Sequence, residues 1–271
     1  MMNGVAYMYK IIDVHAHFGN PDGFPQGVLE KEMYRISLKK LEEIYRLQGI
    51  QAACISPMEG IFPRNKEELL DANRCMEELS QTHDWIYQWV VVNPLMPESY
   101  YQAEKMLRGE KCVGVKIHPD AQKYDIGQWG DEIFSFCSNQ KAVLLSHSGE
   151  MLSMPEHFVT FVNRFPDVQV IVAHLGCGYD GDISHQVRAI REAAKNNIYT
   201  DVSSARSILN GLIEWAVREV SEKKLLFGTD TPLHHIPMMK KRIETAELTE
   251  KQKEAIFWKN AVQLLPKLAD V

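Results

Sequence analysis

The 271-residue chain has few cysteines, no long apolar run and no large excess of one charge. Its five cysteines are odd in number, widely spaced and form no Cys-x-x-Cys pair, which argues against a disulfide framework and a zinc ribbon. No stretch approaches the roughly 18 apolar residues of a membrane span, and the first ten residues lack the pattern of a signal peptide. The net charge of −6 disfavours a nucleic-acid groove. We therefore expect a cytoplasmic protein that acts on a small molecule, with no nucleic acid or membrane as its partner.

Short runs of apolar and β-branched residues alternate with longer segments in which apolar residues recur at helical spacing. Runs such as Val143-Leu144-Leu145 are apolar without alternation, as in parallel strands that are covered on both faces. Eight strands are predicted, at residues 11–15, 51–56, 86–92, 112–117, 142–146, 168–173, 198–202 and 225–228. Helices are predicted between them, at residues 31–47, 67–82, 100–108, 133–138, 155–165, 183–195 and 207–221.

Eight strand–helix units favour a closed (β/α)8 barrel, the TIM barrel of the α/β class. A doubly wound sheet fits less well, because no Gly-x-Gly-x-x-Gly motif follows the first strand. Residues 250–268 are predicted to add a C-terminal helical segment outside the barrel, with a local break at Pro266. The sequence contains no linker, repeat or low-complexity tract, so we expect residues 1–271 to form a single domain.

His15 and His17 lie at the carboxyl end of the first predicted strand. Residues two apart on a strand point to the same face, so both imidazoles can reach one point and begin a metal site. A His-x-His pair is a short pattern with a high rate of chance occurrence. The pair therefore indicates a metal site only through its position in the fold.

Polar residues also close the fifth, sixth and eighth strands, where His147, His174 and Asp230 stand. The strand ends of a barrel converge on one mouth, so these residues are expected to meet His15 and His17 there. Imidazoles with one carboxylate are typical of a divalent cation, Zn²⁺ first and Mn²⁺ or Fe²⁺ as alternatives, with an open coordination position. Two alternatives stand beside this interpretation. A histidine at a strand end is often a hydrogen-bonded core residue, and Asp230, in Gly-Thr-Asp-Thr-Pro, equally suits a helix cap.

Five stretches of the sequence resemble the amidohydrolase superfamily, in particular its amidohydrolase-2 branch, which includes aminocarboxymuconate-semialdehyde-type decarboxylases. The stretches are Ile12-Asp13-Val14-His15-Ala16-His17, Gly114-Val115-Lys116-Ile117-His118-Pro119, Leu145-Ser146-His147-Ser148-Gly149, Ala173-His174-Leu175-Gly176 and Phe227-Gly228-Thr229-Asp230. The resemblance implies a metal-dependent (β/α)8 enzyme. It further implies that His15, His17, His147 and Asp230 are metal ligands, and that His174 either joins them or handles protons.

The number of cations that the resemblance implies depends on the chemical state of Lys116. Some relatives carry a carboxylated lysine on the fourth strand that bridges two metals, which would give two cations. Similarity to the mononuclear branch favours the alternative, in which Lys116 neutralises a nearby carboxylate and one divalent cation is bound. His118 lies two residues further on and points the same way, so both residues are candidate substrate contacts.

The substrate is harder to predict, because the loops that select it vary freely on a common barrel. Arg64 and Arg206 follow the second and seventh strands and are either substrate-carboxylate partners or surface ion-pair residues. Loop 18–30 is either part of a lid or an ordinary connection. Asp230 and His174 are the candidate catalytic residues, since proton transfer needs a carboxylate or imidazole beside the reacting water.

Three functions stay open at this stage. The first is a metal-dependent hydrolase that uses activated water on a C–N or C–O bond of a small, cyclic or carboxylated substrate. The second is a metal-dependent nonoxidative decarboxylase of a small unsaturated or aromatic carboxylate. The third is a barrel that only binds a metal or a metabolite. A homodimer is expected, because the helices around a barrel commonly support one.

Overall fold

Eight parallel strands form one sheet in the order in which they occur along the chain. The computed structural model describes residues 9–25 and 27–271. The strands are β1 (Ile12–Phe18), β2 (Ala52–Pro57), β3 (Ile86–Val91), β4 (Cys112–Ile117), β5 (Val143–Ser146), β6 (Val170–Val172), β7 (Ile198–Asp201) and β8 (Leu225–Leu226). The sheet closes between β1 and the segment that follows β8. There the Val14 N–H donates to the Phe227 carbonyl at 2.9 Å, and the His17 N–H donates to the Thr231 carbonyl at 2.7 Å. The prediction of a (β/α)8 barrel is therefore confirmed.

Helices connect successive strands, as the spacing of apolar residues predicts. They are α1 (Val28–Met33), α2 (Leu38–Gln48), α3 (Met58–Ile61), α4 (Lys66–Thr82), α5 (Glu98–Met106), α6 (Pro119–Gln122), α7 (Ile126–Gln140), α8 (Val159–Arg164), α9 (His185–Glu192), α10 (Leu212–Val220), α11 (Ile236–Glu244), α12 (Glu250–Glu254) and α13 (Asn260–Leu264). The single helix predicted over residues 31–47 is two helices, because the Ser37 hydroxyl accepts the Lys40 N–H and starts α2 anew. Of the helices in the described ranges, none is both long and apolar enough to cross a membrane.

The C-terminal segment packs against the amino end of the barrel. After α12 it continues through a π-helical turn, α13 and a short 3-10 turn that begins at Pro266. Leu264 and Leu268 lie in one apolar cluster with the barrel residues Ile12 and Trp89. Because this end of the barrel is covered, the opposite mouth is left for the candidate site.

The barrel interior is packed so closely that Gly114 has no room for a side chain. A Cβ atom at this position would lie 2.4 Å from the Val143 carbonyl oxygen and 2.6 Å from the Trp89 ring. Trp89 is fully buried, and its indole N–H donates to the Val14 carbonyl at 2.8 Å. Glycine at position 114 is thus required by a close approach of two strands and one ring.

His185 anchors the start of α9 to two neighbouring segments. Its Nδ1 lies 2.8 Å from a Glu156 oxygen, and its Nε2 lies 3.0 Å from an Asp180 oxygen. Burial would lower the pKa of His185, but the two carboxylates outweigh this and raise the pKa above its usual 6.5. The ion pairs therefore hold the loop that follows β6 in place.

Candidate metal centre

Two imidazoles and one carboxylate converge at the carboxyl end of the barrel. The Nε2 atoms of His17 and His15 lie 3.0 Å and 3.5 Å from Oδ1 of Asp230. His174 and Asp201 form a second group with His15, and within each group the ligand atoms lie within 4.8 Å of one another. All five residues are buried. The structure thus brings together four of the residues predicted from the sequence and adds Asp201.

The ends of β1 and β8 are tied together by the buried Asp13. Its carboxylate accepts hydrogen bonds from the backbone N–H groups of His15 at 3.1 Å and Thr229 at 3.0 Å. It also accepts from the Thr229 hydroxyl at 2.5 Å and the Tyr45 hydroxyl at 2.8 Å. These bonds fix the backbone next to His15 and Asp230, so two distant parts of the chain present their side chains to one point.

Partners at Nδ1 orient the first two histidines. The strand register places Ser56 opposite His17, and the Ser56 hydroxyl lies 2.9 Å from Nδ1 of that imidazole. Asp201 Oδ2 lies 2.8 Å from Nδ1 of His15. A carboxylate at Nδ1 stabilises the tautomer that carries its proton there, which leaves the lone pair of Nε2 free for a cation.

His147 and His174 extend the cluster along the mouth of the barrel. Nδ1 of His147 lies 3.0 Å from Nε2 of His174, whose own Nδ1 lies 2.7 Å from the Ser203 hydroxyl. His174 has a φ of +71° and Asp230 a φ of +56°. Residues other than glycine adopt this left-handed region at a cost, and such strain is typical of functional sites.

Asp201 is the candidate functional residue that the sequence reasoning missed. Besides bonding His15, it accepts the His174 backbone N–H at 2.9 Å through Oδ1, which the Ser203 hydroxyl also approaches. The sequence does carry a signal for it, since Asp201 closes the predicted seventh strand as Asp230 follows the eighth. A single carboxylate therefore orients one candidate ligand and the backbone of another.

The charges of the cluster match those that a divalent cation requires. Burial lowers the pKa of His17 to about 4, so its imidazole is neutral at pH 7. Burial alone would raise the pKa of Asp230, but the imidazoles of His174, His17 and His15 hold it well below the usual value. Neutral nitrogens beside an ionised carboxylate are the donor set that binds Zn²⁺, Mn²⁺ or Fe²⁺. The residues present therefore fit a divalent metal.

Lys116 and His118 reach the same cavity from the end of β4. Lys116 is fully buried, and its Nζ lies 3.0 Å from Nε2 of His15, the nitrogen that would face a cation. Burial lowers the pKa of Lys116 to about 8, against the opposing effect of Asp230 and Asp201. His118 stacks on His147 with ring centroids 3.9 Å apart and planes 8° apart.

The cavity at the mouth has a volume of about 230 Å³, which is small for a ligand site. Its polar wall carries His17, Lys116, His118, His147, His174 and Asp230. The rest of its wall is mostly apolar and includes Met58, Ile61, Phe62 and Leu233. Loop 18–30 contributes Phe24 and Pro25 to this wall, with the Phe24 ring 4.5 Å from that of Phe62. The loop is thus part of the cavity wall as well as a connection.

The two candidate arginines lie away from this cavity. Arg64 is exposed and pairs with Glu68 at 2.6 Å on the surface, beside a different groove. Arg206 is exposed in the turn after β7, and among the described residues neither guanidinium lines the cavity. In the structure Arg64 forms a surface ion pair, which was the alternative to a substrate contact.

Comparisons with known proteins agree with this fold. Residues 12–267 match the model of the Amidohydrolase family. A dihydroxybenzoic acid decarboxylase from Polaromonas, solved with manganese and the inhibitor 2-nitroresorcinol, is 14% identical with a TM-score of 0.76, covering 95% of this chain and 97% of its own. A 4-oxalomesaconate hydratase from Rhodopseudomonas palustris is 16% identical with a TM-score of 0.66, covering 96% and 97%.

A putative amidohydrolase from Staphylococcus aureus is 17% identical with a TM-score of 0.72, covering 95% of this chain and 99% of its own. At these identities the likeness shows the fold. No curated protein matches the chain by sequence. Because the family model spans nearly all of the sequence, the chain belongs to the Amidohydrolase family.

Proposed function

We propose that this protein is a metal-dependent hydrolase that cleaves a C–N or C–O bond of a small, cyclic or carboxylated substrate with water. The observation that carries the proposal is the buried donor set, in which Nε2 of His15 and of His17 face Oδ1 of Asp230 at 3.5 Å and 3.0 Å. Zn²⁺ is the cation we expect first, and the manganese in a decarboxylase of the same fold supports Mn²⁺ as an alternative.

His15, His17 and Asp230 would hold the cation, and His147 or His174 would complete the set. Such a cation, when bound, polarises a substrate carbonyl and lowers the pKa of water. Asp230 is ionised and lines the cavity, so it can accept the proton of the water that adds to the carbonyl carbon. It then transfers that proton to the leaving nitrogen or oxygen as the scissile bond breaks.

His174 has a supporting role in the proposed reaction. Its Nδ1 is held by Ser203 and its backbone by Asp201, so Nε2 is fixed toward His147, which also lines the cavity. An imidazole fixed in this way can orient water or accept a proton from it. The rest of the lining is mostly apolar, and apolar surroundings strengthen the charge interactions within the site.

A nonoxidative decarboxylase is the second candidate function. The buried Lys116 supplies a cation in the cavity to which a substrate carboxylate can bind. The similar fold of the dihydroxybenzoic acid decarboxylase adds support by analogy. The two functions share one site and differ in their products.

The test uses metal-stripped protein reloaded with Zn²⁺, Mn²⁺ or Fe²⁺ and a panel of small amides, lactones and aromatic carboxylates. Incorporation of ¹⁸O from labelled water identifies hydrolysis, and trapped carbon dioxide identifies decarboxylation. The Asp230→Asn variant should lose turnover, whereas His157→Ala, at an exposed position that does not line the cavity, should keep it. Turnover that survives complete metal removal would refute the proposal. A metal-loaded protein without any turnover would favour the non-catalytic barrel.

A further inference from the structure

His118 is the N-cap residue of α6, and this position determines where its ring proton lies. Its Nδ1 accepts the backbone N–H of Ala121 at 3.2 Å. A ring nitrogen that accepts a hydrogen bond carries no proton, so the neutral imidazole must hold its single proton on Nε2. The local backbone therefore makes Nε2 a hydrogen-bond donor.

Stacking and the bond from Ala121 hold the His118 ring in this orientation. One face lies parallel to the His147 ring at 3.9 Å, and the Phe62 ring is 5.6 Å away. A flip about the ring axis would place a carbon opposite the Ala121 N–H and lose that bond. His118 is partly exposed and lines the cavity, and within the described ranges Nε2 has no acceptor.

We propose that His118 is a specificity-determining residue, which donates its Nε2–H to an acceptor oxygen of the substrate. This inference places the substrate in the cavity of the proposed function and adds the chemistry of one recognised group. A carboxylate, phenolate or carbonyl oxygen is accepted there, and an ammonium or amidinium group is rejected because two donors would face each other.

The charges around the cavity favour an anionic acceptor. Lys116 lies two residues before His118 and lines the same cavity. Of the acidic lining groups, Asp120 is engaged with the Leu152 N–H at 3.0 Å and with the Ser153 hydroxyl. Glu150 is half exposed and lies 3.5 Å from Nε2 of His147. Asp230, the third acidic lining group, faces Nε2 of His17 at 3.0 Å and would be held by the cation. Each carboxylate of the lining is therefore engaged by a group other than His118.

The first test reads the tautomer directly. Long-range ¹H–¹⁵N correlation spectra of histidine-labelled protein distinguish the two neutral forms, and the signals that vanish in His118→Phe belong to this residue. We expect the form protonated at Nε2. A proton on Nδ1 would overturn the proposal, whatever reaction the protein catalyses.

The second test measures how zinc-loaded protein binds three probes of equal size, namely benzoate, benzamide and benzamidine. Wild-type protein should prefer benzoate to benzamidine. His118→Phe keeps a ring against His147 but has no donor, so benzoate should bind about tenfold or more weakly, while benzamidine changes little. His118→Asn keeps an N-cap acceptor for Ala121 but is shorter, and it should show the same loss. His157→Phe, at an exposed surface position, is the matched control and should bind as wild type does.

Equal affinity of wild type and His118→Phe for benzoate would refute the inference, as would a wild type that does not prefer benzoate to benzamidine. The outcome is separable from that of the proposed function. Protein that binds benzoate through His118 but catalyses no reaction supports this inference and refutes the hydrolase. If the protein catalyses hydrolysis and His118→Phe leaves its specificity unchanged, the hydrolase is supported and this inference is refuted.

Discussion

Replacement of Asp201 by asparagine should weaken metal binding without unfolding the barrel. Asparagine keeps the shape of the side chain but has one oxygen where the carboxylate has two. In the wild type, Oδ2 of Asp201 lies 2.8 Å from Nδ1 of the His15 ring, and Oδ1 accepts the His174 N–H at 2.9 Å. Whichever way the amide is turned, an NH₂ group faces one of these two nitrogens. If it faces the ring, His15 is driven to the tautomer whose Nε2 cannot bind a cation.

The expected loss is about 10- to 100-fold in metal affinity, the usual range for a residue that orients a ligand. This corresponds to about 1.4 to 2.8 kcal/mol of binding free energy. A competition titration of the stripped protein against a chromophoric zinc chelator measures the affinity, and circular dichroism reports the fold. Asp167→Asn, an exposed aspartate bonded to Ser138, is the control. A folded Asp201→Asn variant that binds zinc within about twofold of wild type, well below that range, would refute the reasoning.

Three further predictions concern other parts of the molecule. His174→Ala should retain most of the metal but lose turnover, whereas His15→Ala should lose both, and equal metal contents by atomic absorption would contradict this division. His185→Gln should be destabilised most below about pH 6.5, where the imidazolium pairs with both carboxylates, and less as the pH rises through the raised pKa of His185. Urea unfolding at about pH 5.5 and about pH 8.5 tests this, and an effect that grows with pH would disprove it. Gly114→Ala should cost about 1 to 3 kcal/mol of unfolding free energy by overpacking, whereas Gly127→Ala, in the first turn of α7, should melt near the wild-type temperature.

The barrel and the convergence of most candidate metal ligands could be predicted from the sequence because both follow from repetition. Eight apolar runs of strand length define the strands, and the residues that close them necessarily meet at one mouth. This is why His15, His17 and Asp230 converge in the structure although up to 215 positions separate them. The same rule applies to Asp201, which stands at the end of β7.

Other features depend on local contacts that the pattern of strands does not contain. Arg64 follows β2, but an i, i+4 carboxylate at Glu68 holds its guanidinium on the surface. The ring of His118 is fixed by a four-residue helix too short to give a periodic signal, although Pro119 marks its first turn. The placement of the candidate metal ligands thus follows from the topology, and the placement of the proposed substrate contact depends on a turn.

The left-handed backbone at His174 and Asp230 costs the fold stability at two positions that belong to the candidate site. Each such residue costs about 1 to 3 kcal/mol, a cost that glycine would avoid. A laboratory selection for heat resistance alone should therefore erode these two positions early, and a selection that also demands chemistry should keep them. Sequences recovered from the two regimes would diverge at the mouth of the barrel while the strands beneath it stayed alike.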